Sequence, residues 1–232
     1  MKTISIWSRL LDLISPRACT ICGNRLSVEE EVLCAPCNLH LPRTFFAANA
    51  YDNVMARRFW GRIPIERAAG LFYYEAGSEV SRIIYAFKYS NHPEIGTFMG
   101  RMAAEEFAAE GFFDGIDLII PIPLAKKRER QRGYNQSVEI AKGVAEATGL
   151  PMVCDAVVRT SFSESQTRKS LRQRMENVEG VFQWTGKADL HDKHLLIVDD
   201  IVTSGATVCS CVESILPNCD IRTSVMSIGV VK

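Results

Sequence analysis

The chain has 232 residues, and its 27 lysines and arginines balance its 27 aspartates and glutamates, so its formal net charge is zero. This balance excludes a strong overall field that would attract nucleic acid, so any basic site must be local. The length suffices for one sizeable core plus a small appendage, and no apolar run reaches the roughly 18 residues that cross a bilayer.

The N-terminal segment has one apolar face at helical spacing, which predicts a short helix that packs on the body or docks a partner. This face comprises Trp7, Leu10, Leu11 and Ile14. Arg9 and Asp12 interrupt the apolar residues and no clear cleavage site follows, so a signal peptide is not predicted and we expect a cytoplasmic protein.

Four of the eight cysteines form two C-x-x-C pairs, Cys19 with Cys22 and Cys34 with Cys37. Each pair can offer two thiolates from a tight turn, and two such turns close a tetrahedron around one metal ion. We therefore predict a structural zinc site without a catalytic role, with a redox dithiol or a disulfide pair as the alternative. The other four cysteines are expected to be small buried residues; they are Cys154, Cys209, Cys211 and Cys219.

Residues 38–66 are typical of an irregular connector, after which residues 68–74 predict a strand. Glu79–Tyr89 predicts an amphipathic helix, and residues 95–110 predict another. Lys88, near the end of the first helix, is either a solvated helix-end lysine or a phosphate ligand beside an active cleft.

Residues 117–123 predict a second buried strand that ends in a rigid Pro-Ile-Pro turn. Five basic residues follow within positions 126–132, among them Arg128 and Arg132, and a predicted helix comes after them at 137–148. Such a run is often only solvated surface. Here it follows a strand end, where a cleft is expected, and a diphosphate requires lysine and arginine.

The segment 161–178 is long, polar and rich in basic residues, and it separates predicted strands at 156–160 and 181–184. Long polar loops in compact domains are often lids over a site. A basic surface helix is the alternative.

Two adjacent acids, Asp199 and Asp200, follow the apolar residues 195–198, which predict a buried strand ending just before the acids. Carboxylates accept hydrogen bonds from hydroxyl groups, so this pair suits the diol of a sugar. A strand end with polar residues is where open α/β sheets bind ligands.

A short turn with three hydroxyls comes next and leads into a predicted helix at 208–216. Such a turn presents free N–H groups and the positive end of the helix dipole to a phosphate. Gly205 allows close approach of the anion, and Thr203, Ser204 and Thr207 add donors. A ribose with a 5′-phosphate would satisfy both the acids and the turn.

The stretch 195–207 resembles the phosphoribosyl-pyrophosphate (PRPP) signature of type I phosphoribosyltransferases. The resemblance implies that Asp199 and Asp200 bind the ribose 2′ and 3′ hydroxyls and favour a cationic ring, and that residues 203–207, Ala206 included, cradle the 5′-phosphate. It also implies a mobile loop over PRPP at 161–178, from which Arg168 or Lys169 would reach the departing diphosphate.

The Pro-Ile-Pro turn followed by Arg-Gly-Tyr-Asn-Gln-Ser at 132–137, together with the cysteine pairs, resembles the ComF family of phosphoribosyltransferase-like proteins. The resemblance implies an α/β fold, with a parallel sheet flanked by helices and a small N-terminal zinc module. Residues 1–66 would form the module and connector, and residues 67–232 the phosphoribosyltransferase-like domain. Members of the family are tied to bacterial competence, the uptake of single-stranded DNA.

The predicted reaction is displacement of diphosphate from the ribose C1 of PRPP by an unidentified nitrogen nucleophile, with magnesium on the diphosphate. The alternative is a non-catalytic accessory protein with a regulatory or vestigial PRPP pocket. Its zinc module and basic segments 126–132 and 168–174 would then contact single-stranded DNA or a helicase.

Overall fold

A computed structural model describes residues 17–160 and 181–232 of the chain. The expected N-terminal helix and the polar loop that carries Arg168 and Lys169 lie outside the described residues. In the described part, no helix is both long enough and apolar enough to cross a membrane.

The described chain contains six helices and six strands. The helices are α1 (Ala35–His40), α2 (Glu79–Tyr89), α3 (Pro93–Ala108), α4 (Lys126–Arg132), α5 (Gln136–Thr148) and α6 (Ala206–Glu213), and short 3-10 turns lie at Phe46–Asn49 and Ala56–Arg58. The strands are β1 (Ile65–Tyr74), β2 (Leu118–Pro121), β3 (Val157–Arg159), β4 (Phe182–Trp184), β5 (Lys193–Val202) and β6 (Ile221–Val231).

Four strands form a parallel sheet in the order β1-β6-β5-β2, and β3 pairs with β4 in a separate antiparallel ribbon. Both faces of this sheet carry buried apolar side chains, so both faces must be covered. The predicted class, a parallel sheet flanked by helices, is confirmed. The predicted strands before and after the polar loop correspond to β3 and β4, each shorter than expected.

The sheet separates two apolar clusters, and β5 contributes to both through its alternating side chains. Leu196 and Val198 pack in the cluster that contains α2, α3 and α5, whereas Leu195 and Ile197 pack in the cluster that contains α6. All four side chains are fully buried. This double burial explains the unbroken apolar run that marked the strand in the sequence.

The prediction that this strand ends before the acids is wrong, because β5 continues through Asp199 and Asp200 to Val202. Its pairing with β2 stops at Val198, opposite Pro121, but its pairing with β6 extends to Val202. Strand β2 therefore ends beside Val198, whereas β6 continues alongside β5 to Val202. The acids lie on a strand segment that is held rigidly and yet open along one edge.

Strand β6, which lies between β1 and β5, has no counterpart in the sequence-based prediction. Its buried polar residues interrupt the apolar pattern, but each finds a partner. Thr223 Oγ1 donates to the carbonyl of Pro64 at 2.7 Å, Ser224 Oγ lies 2.9 Å from His194 Nε2, and Ser227 Oγ donates to the carbonyl of Gly229 at 3.0 Å.

Helices α3 and α5 pack closely against each other where each carries a glycine, Gly100 and Gly143. A Cβ on Gly143 would lie 2.0 Å from the carbonyl oxygen of Thr97, and a Cβ on Gly100 would lie 2.0 Å from that of Ile140. Both distances are far below van der Waals contact, so this close crossing requires glycine at both positions.

The cysteine-rich segment packs on α3 through apolar residues and two ion pairs. Cys19, Leu26 and Leu33 belong to the same buried cluster as α3. Glu31 Oε2 accepts from Arg101 Nη2 at 2.6 Å, and Arg43 Nη2 lies 2.8 Å from Glu106 Oε1. The division of the chain at residues 66 and 67 stays a prediction.

The scattered cysteines divide into two groups. Cys209, Cys211 and Cys219 are buried, as predicted. The expectation for Cys154 is wrong, because this residue is exposed in the loop between α5 and β3.

Candidate active site

The carboxyl group of Asp199 is the most enclosed acid at the open edge of β5. Its Oδ1 accepts from the hydroxyl of Ser137, at the start of α5, at 3.3 Å and from the backbone N–H of Asp200 at 2.9 Å. Burial, together with the charge of Asp200, raises the pKa of Asp199 to about 7, although the N–H of Asp200 and the ammonium of Lys88 oppose this rise. A carboxyl poised in this way favours ligands that bring hydroxyl donors to it.

Asp200 forms an ion pair with Lys88, whose Nζ lies 2.7 Å from Asp200 Oδ2. The two side chains are only 16% and 18% exposed, so the pair is shielded from water. Of the two interpretations of Lys88, the solvated helix-end lysine is wrong. The last turn of α2 points this lysine at the acids instead.

The loop 203–207 turns the chain from β5 into α6. Gly205 adopts φ 77° there, and its backbone carbonyl accepts the first helical hydrogen bond, from the N–H of Cys209 at 2.9 Å. A Cβ on Gly205 would meet the ring of Phe59 at 2.7 Å, so both the backbone angle and the packing require glycine. The predicted helix at 208–216 is confirmed, but it begins two residues earlier, at Ala206, and ends three residues earlier, at Glu213.

Asp199 and the loop line one small depression of about 20 Å³ at the surface. Asp199, Thr203, Gly205, Ala206 and Thr207 all contribute to its wall. The side chains of Thr203 and Ser204 are exposed, so their hydroxyls are open to a ligand. A loop of this kind at a helix N-terminus can bind an anion, and the acids beside it can accept from hydroxyl groups.

A larger basic cavity of about 740 Å³ brings together three of the predicted diphosphate ligands, Lys88, Arg128 and Arg132. Arg132 is held in place, since its Nη1 donates to Gln136 Oε1 at 2.6 Å and its guanidinium lies 5.5 Å from the centre of the Tyr89 ring. Because Lys88 also contacts Asp200, the cavity adjoins the acids. Sequence reasoning placed Arg168 and Lys169 here too, but they lie outside the described residues.

The four paired cysteines converge. Their sulfur atoms all lie within 4.8 Å of one another, and those of Cys22 and Cys34 are 3.7 Å apart. Tetrahedral zinc with Zn–S bonds of about 2.3 Å places its sulfur ligands roughly 3.8 Å apart, so the cluster is compatible with zinc.

The surroundings of one of these thiols, Cys19, also favour its ionised form. The backbone N–H of Cys34 donates to the sulfur of Cys19 at 3.4 Å. Burial opposes ionisation of Cys19, but N–H donors of Cys22, Cys34 and Ile21 outweigh it and lower the pKa of this thiol to about 7. A thiolate is the form that binds metal.

Sequence reasoning missed three residues that contact the site. Ser137 was noted only as part of a motif, but it donates to Asp199. Arg58 and Arg62, in the connector, donate to backbone carbonyls of the loop at residues 202–204. Nothing local in the sequence signals contacts between residues more than 140 positions apart.

Comparison with known families gives a match to the phosphoribosyl transferase domain over residues 134–231. This span covers about two fifths of the chain and contains Ser137, both acids, the loop and β6.

Relatives match most of the chain. The DNA utilization protein YhgH of Shigella flexneri is 27% identical over 208 residues, which cover 86% of this chain and 84% of that protein. Competence protein ComFC of Bacillus subtilis is 23% identical over 202 residues, covering 86% and 79%. Competence protein F of Haemophilus influenzae is 26% identical over 133 residues, covering 56% and 58%. With the domain match and the four-cysteine cluster, these relatives confirm the resemblance to the ComF family.

The solved structures that align with part of this chain include phosphoribosyltransferases. The glutamine PRPP amidotransferase of Bacillus subtilis, complexed with ADP and GMP, aligns with 61% of this chain at 18% identity and a TM-score of 0.40. This chain spans only 30% of that enzyme. Adenine phosphoribosyltransferase of Thermoanaerobacter pseudethanolicus aligns with 60% of this chain at 15% identity and a TM-score of 0.30.

Proposed function

We propose that the protein binds PRPP and transfers its phosphoribosyl group to an unidentified nitrogen nucleophile. The observation that carries the proposal is the continuity of three surfaces: the acids, the hydroxyl-rich loop and the basic cavity. The loop and Asp199 share one depression, and the ion pair of Asp200 with Lys88 joins them to the cavity. These three surfaces match the diol, the 5′-phosphate and the diphosphate of PRPP.

The 5′-phosphate would bind over the small depression formed by the loop, and the ribose would lie beside it, against the acids. Asp199 and Asp200 accept hydrogen bonds from the 2′ and 3′ hydroxyls. The N–H groups of residues 203–207 and the hydroxyls of Thr203, Ser204 and Thr207 donate to the phosphate, while Gly205 and Ala206 keep the approach open.

The diphosphate would enter the basic cavity, where Lys88, Arg128 and Arg132 neutralise its charge. In this structure Lys88 is paired with Asp200. When PRPP binds, its diphosphate replaces Asp200 as the partner of Lys88, and its sugar hydroxyls replace Lys88 as partners of Asp200. Arg168 and Lys169 stay proposed as further ligands from the polar loop.

In the reaction, the bond between ribose C1 and the diphosphate oxygen breaks, and the diphosphate leaves with the electron pair. The nitrogen nucleophile forms the new bond to C1 and then loses a proton. Asp199 and Asp200 stabilise the positive charge that develops on the ring, and the basic residues stabilise the leaving group. Magnesium bound with the diphosphate would supply further neutralisation of its charge.

The test is a screen for diphosphate release from PRPP and magnesium against a panel of bases and amines. The proposal predicts release with at least one acceptor, and predicts its loss in Asp199→Asn. Asp220→Asn, which changes an exposed aspartate distant in sequence from the loop, is the matched control and should retain the activity. Absence of release with every acceptor would contradict the transferase proposal.

For the cysteine cluster we propose a structural zinc ion held by Cys19, Cys22, Cys34 and Cys37. Four thiolates fill a tetrahedral shell and leave no position for a substrate, so the ion would hold the N-terminal segment in shape. Cysteines stay reduced, and so able to bind metal, in a reducing compartment, which fits the expected cytoplasmic location.

A second candidate function, single-stranded DNA binding, rests on two tyrosines beside the basic cavity. Tyr85 and Tyr89 lie one helical turn apart on α2, with ring centres 4.8 Å apart, and they are 65% and 63% exposed. Exposed aromatic rings next to a basic groove are a platform for stacking bases. In this case the partner is single-stranded DNA, alone or handed over by a helicase, and the PRPP pocket is regulatory.

Fluorescence anisotropy with a labelled oligothymidine tests this candidate. It predicts binding that weakens steeply between about 50 and 200 mM salt, and a loss of roughly tenfold or more in the Tyr85→Ala/Tyr89→Ala variant. Tyr51→Ala is the control, because Tyr51 is also exposed but lies in the connector over Arg67. No binding at low salt would remove this candidate.

A further inference from the structure

Two arginines of the connector contact the phosphate-binding loop from behind. Nη1 of Arg58 donates to the carbonyl of Val202 at 3.2 Å and also to that of Thr203, and its Nη2 donates to the carbonyl of Val231, at the end of β6. Nη1 of Arg62 donates to the carbonyl of Ser204 at 3.1 Å. The carbonyls of three successive residues, 202 to 204, are therefore all held by guanidinium groups.

Apolar packing completes this contact. Phe59, between the two arginines, is fully buried, and its ring fills the space where Gly205 lacks a side chain. The carbonyl of Arg58 in turn accepts from Arg62 at 3.0 Å, which ties the two arginines together. We call Arg58, Phe59 and Arg62 the brace.

The brace determines where the N–H groups of the loop point. In a planar trans peptide, the C=O of one residue and the N–H of the next point in opposite directions. Fixing the carbonyls of residues 202, 203 and 204 toward the connector therefore turns the N–H groups of residues 203, 204 and 205 away from it. That opposite side is where an anion would bind the loop.

The charges of the brace act in the same direction. Carbonyl oxygens carry partial negative charge and would repel a phosphate if they turned outward. Hydrogen bonds from a cation are about twice as strong as neutral ones, so two guanidinium groups hold the carbonyls firmly. They also place positive charge behind the loop, which attracts an anion to its front.

From this geometry we propose that Arg58 and Arg62 are positioning residues for the 5′-phosphate subsite, acting through the backbone of the loop without touching the ligand. The inference rests on the proposed function, since it assumes that the loop binds the 5′-phosphate. It adds a role for the connector, which otherwise only links the cysteine cluster to the sheet.

The test measures two ligands separately, ribose 5-phosphate for the loop and magnesium diphosphate for the basic cavity. Arg58→Gln should bind ribose 5-phosphate roughly tenfold more weakly than wild type, because charged hydrogen bonds to three carbonyls are lost. Its affinity for magnesium diphosphate should stay within about twofold, since the cavity residues are unchanged. Arg58→Lys keeps the charge but reaches fewer carbonyls, so its affinity for ribose 5-phosphate should lie between those of wild type and Arg58→Gln.

Arg57→Gln is the matched control, because Arg57 is exposed on the same turn and pairs with Asp52, not with the loop. It should bind both ligands as wild type does. Arg62 is exposed and makes one contact to the loop, so Arg62→Gln tests the same idea with little risk to folding. Its affinity for ribose 5-phosphate should be about threefold lower than that of wild type.

Two results would overturn the role of the brace while leaving the proposed function intact. One is unchanged affinity for ribose 5-phosphate in both Arg58→Gln and Arg62→Gln. The other is an equal loss for both ligands, which would indicate general disruption of the fold. Failure of the wild-type protein to bind ribose 5-phosphate at all would instead overturn the proposed function, and this inference with it.

Discussion

Replacing Asp199 with asparagine should make the ligand-free protein more stable at pH 8. Burial and the charge of Asp200 raise the pKa of Asp199 from 3.8 to about 7. When the acid is ionised, this shift lowers the free energy of unfolding by roughly 4 kcal/mol. An amide oxygen can still accept from Ser137 and from the N–H of Asp200, but its NH₂ group needs a partner, at a cost of about 1–3 kcal/mol. The expected net gain is about 2 kcal/mol, or a Tm higher by roughly 4–8 °C.

The effect depends on pH with a definite sign. The folded pKa of Asp199 lies above the unfolded one, so its contribution to stability is fully present below about pH 4 and is lost as the pH rises toward about 7. The loss of stability caused by the ionised Asp199 in the wild type is therefore full at pH 8 and smaller by about 2–3 kcal/mol at pH 5. The advantage of Asp199→Asn should disappear at pH 5.

Thermal unfolding of the ligand-free proteins at pH 5 and pH 8 measures this difference directly. Asp220→Asn serves as the control, since Asp220 is exposed and should give the same Tm difference at both pH values. A variant at position 199 that is less stable than wild type at pH 8, or a difference that does not change with pH, would refute the reasoning.

The remaining predictions concern packing, metal and charge. Gly143→Ala should lower the free energy of unfolding in urea by about 2 kcal/mol or more, because its Cβ would lie 2.0 Å from the carbonyl oxygen of Thr97; no loss would show that α3 and α5 can separate freely. Cys34→Ser should reduce bound zinc, measured by elemental analysis, from about one ion per chain to a small fraction and lower the Tm, since a four-thiolate shell loses a ligand; wild-type protein free of metal would contradict the site. Lys88→Gln should weaken PRPP binding about tenfold through the lost charge on the diphosphate, and unchanged affinity would place the diphosphate elsewhere.

Local patterns in the sequence were enough to predict the elements whose apolar residues follow a simple repeat or an unbroken run. The bounds of α2 agree with prediction because its apolar residues recur at helical spacing. The unbroken apolar run of β5 likewise indicated a strand buried on both faces. The loop at 203–207 could be located because its residue types suit only a tight turn before a helix.

Features that depend on distant partners could not be predicted. Strand β6 could not be recognised because Thr223, Ser224 and Ser227 interrupt its apolar pattern. These residues can be buried only because each hydroxyl has a hydrogen-bond partner. The end of β5 depends on where its two neighbours stop, which no local pattern records. Likewise, the burial of Lys88 follows from the placement of α2 beside Asp200.

The most direct test of the account is calorimetric titration of PRPP with magnesium into wild type and into Asp199→Asn/Asp200→Asn, with Asp220→Asn as the control. The account predicts one PRPP per wild-type or control chain, and an affinity at least about tenfold lower when both acids are neutral, because the sugar hydroxyls lose their charged acceptors. Equal affinity in all three proteins would contradict the assignment of the acids to the ribose.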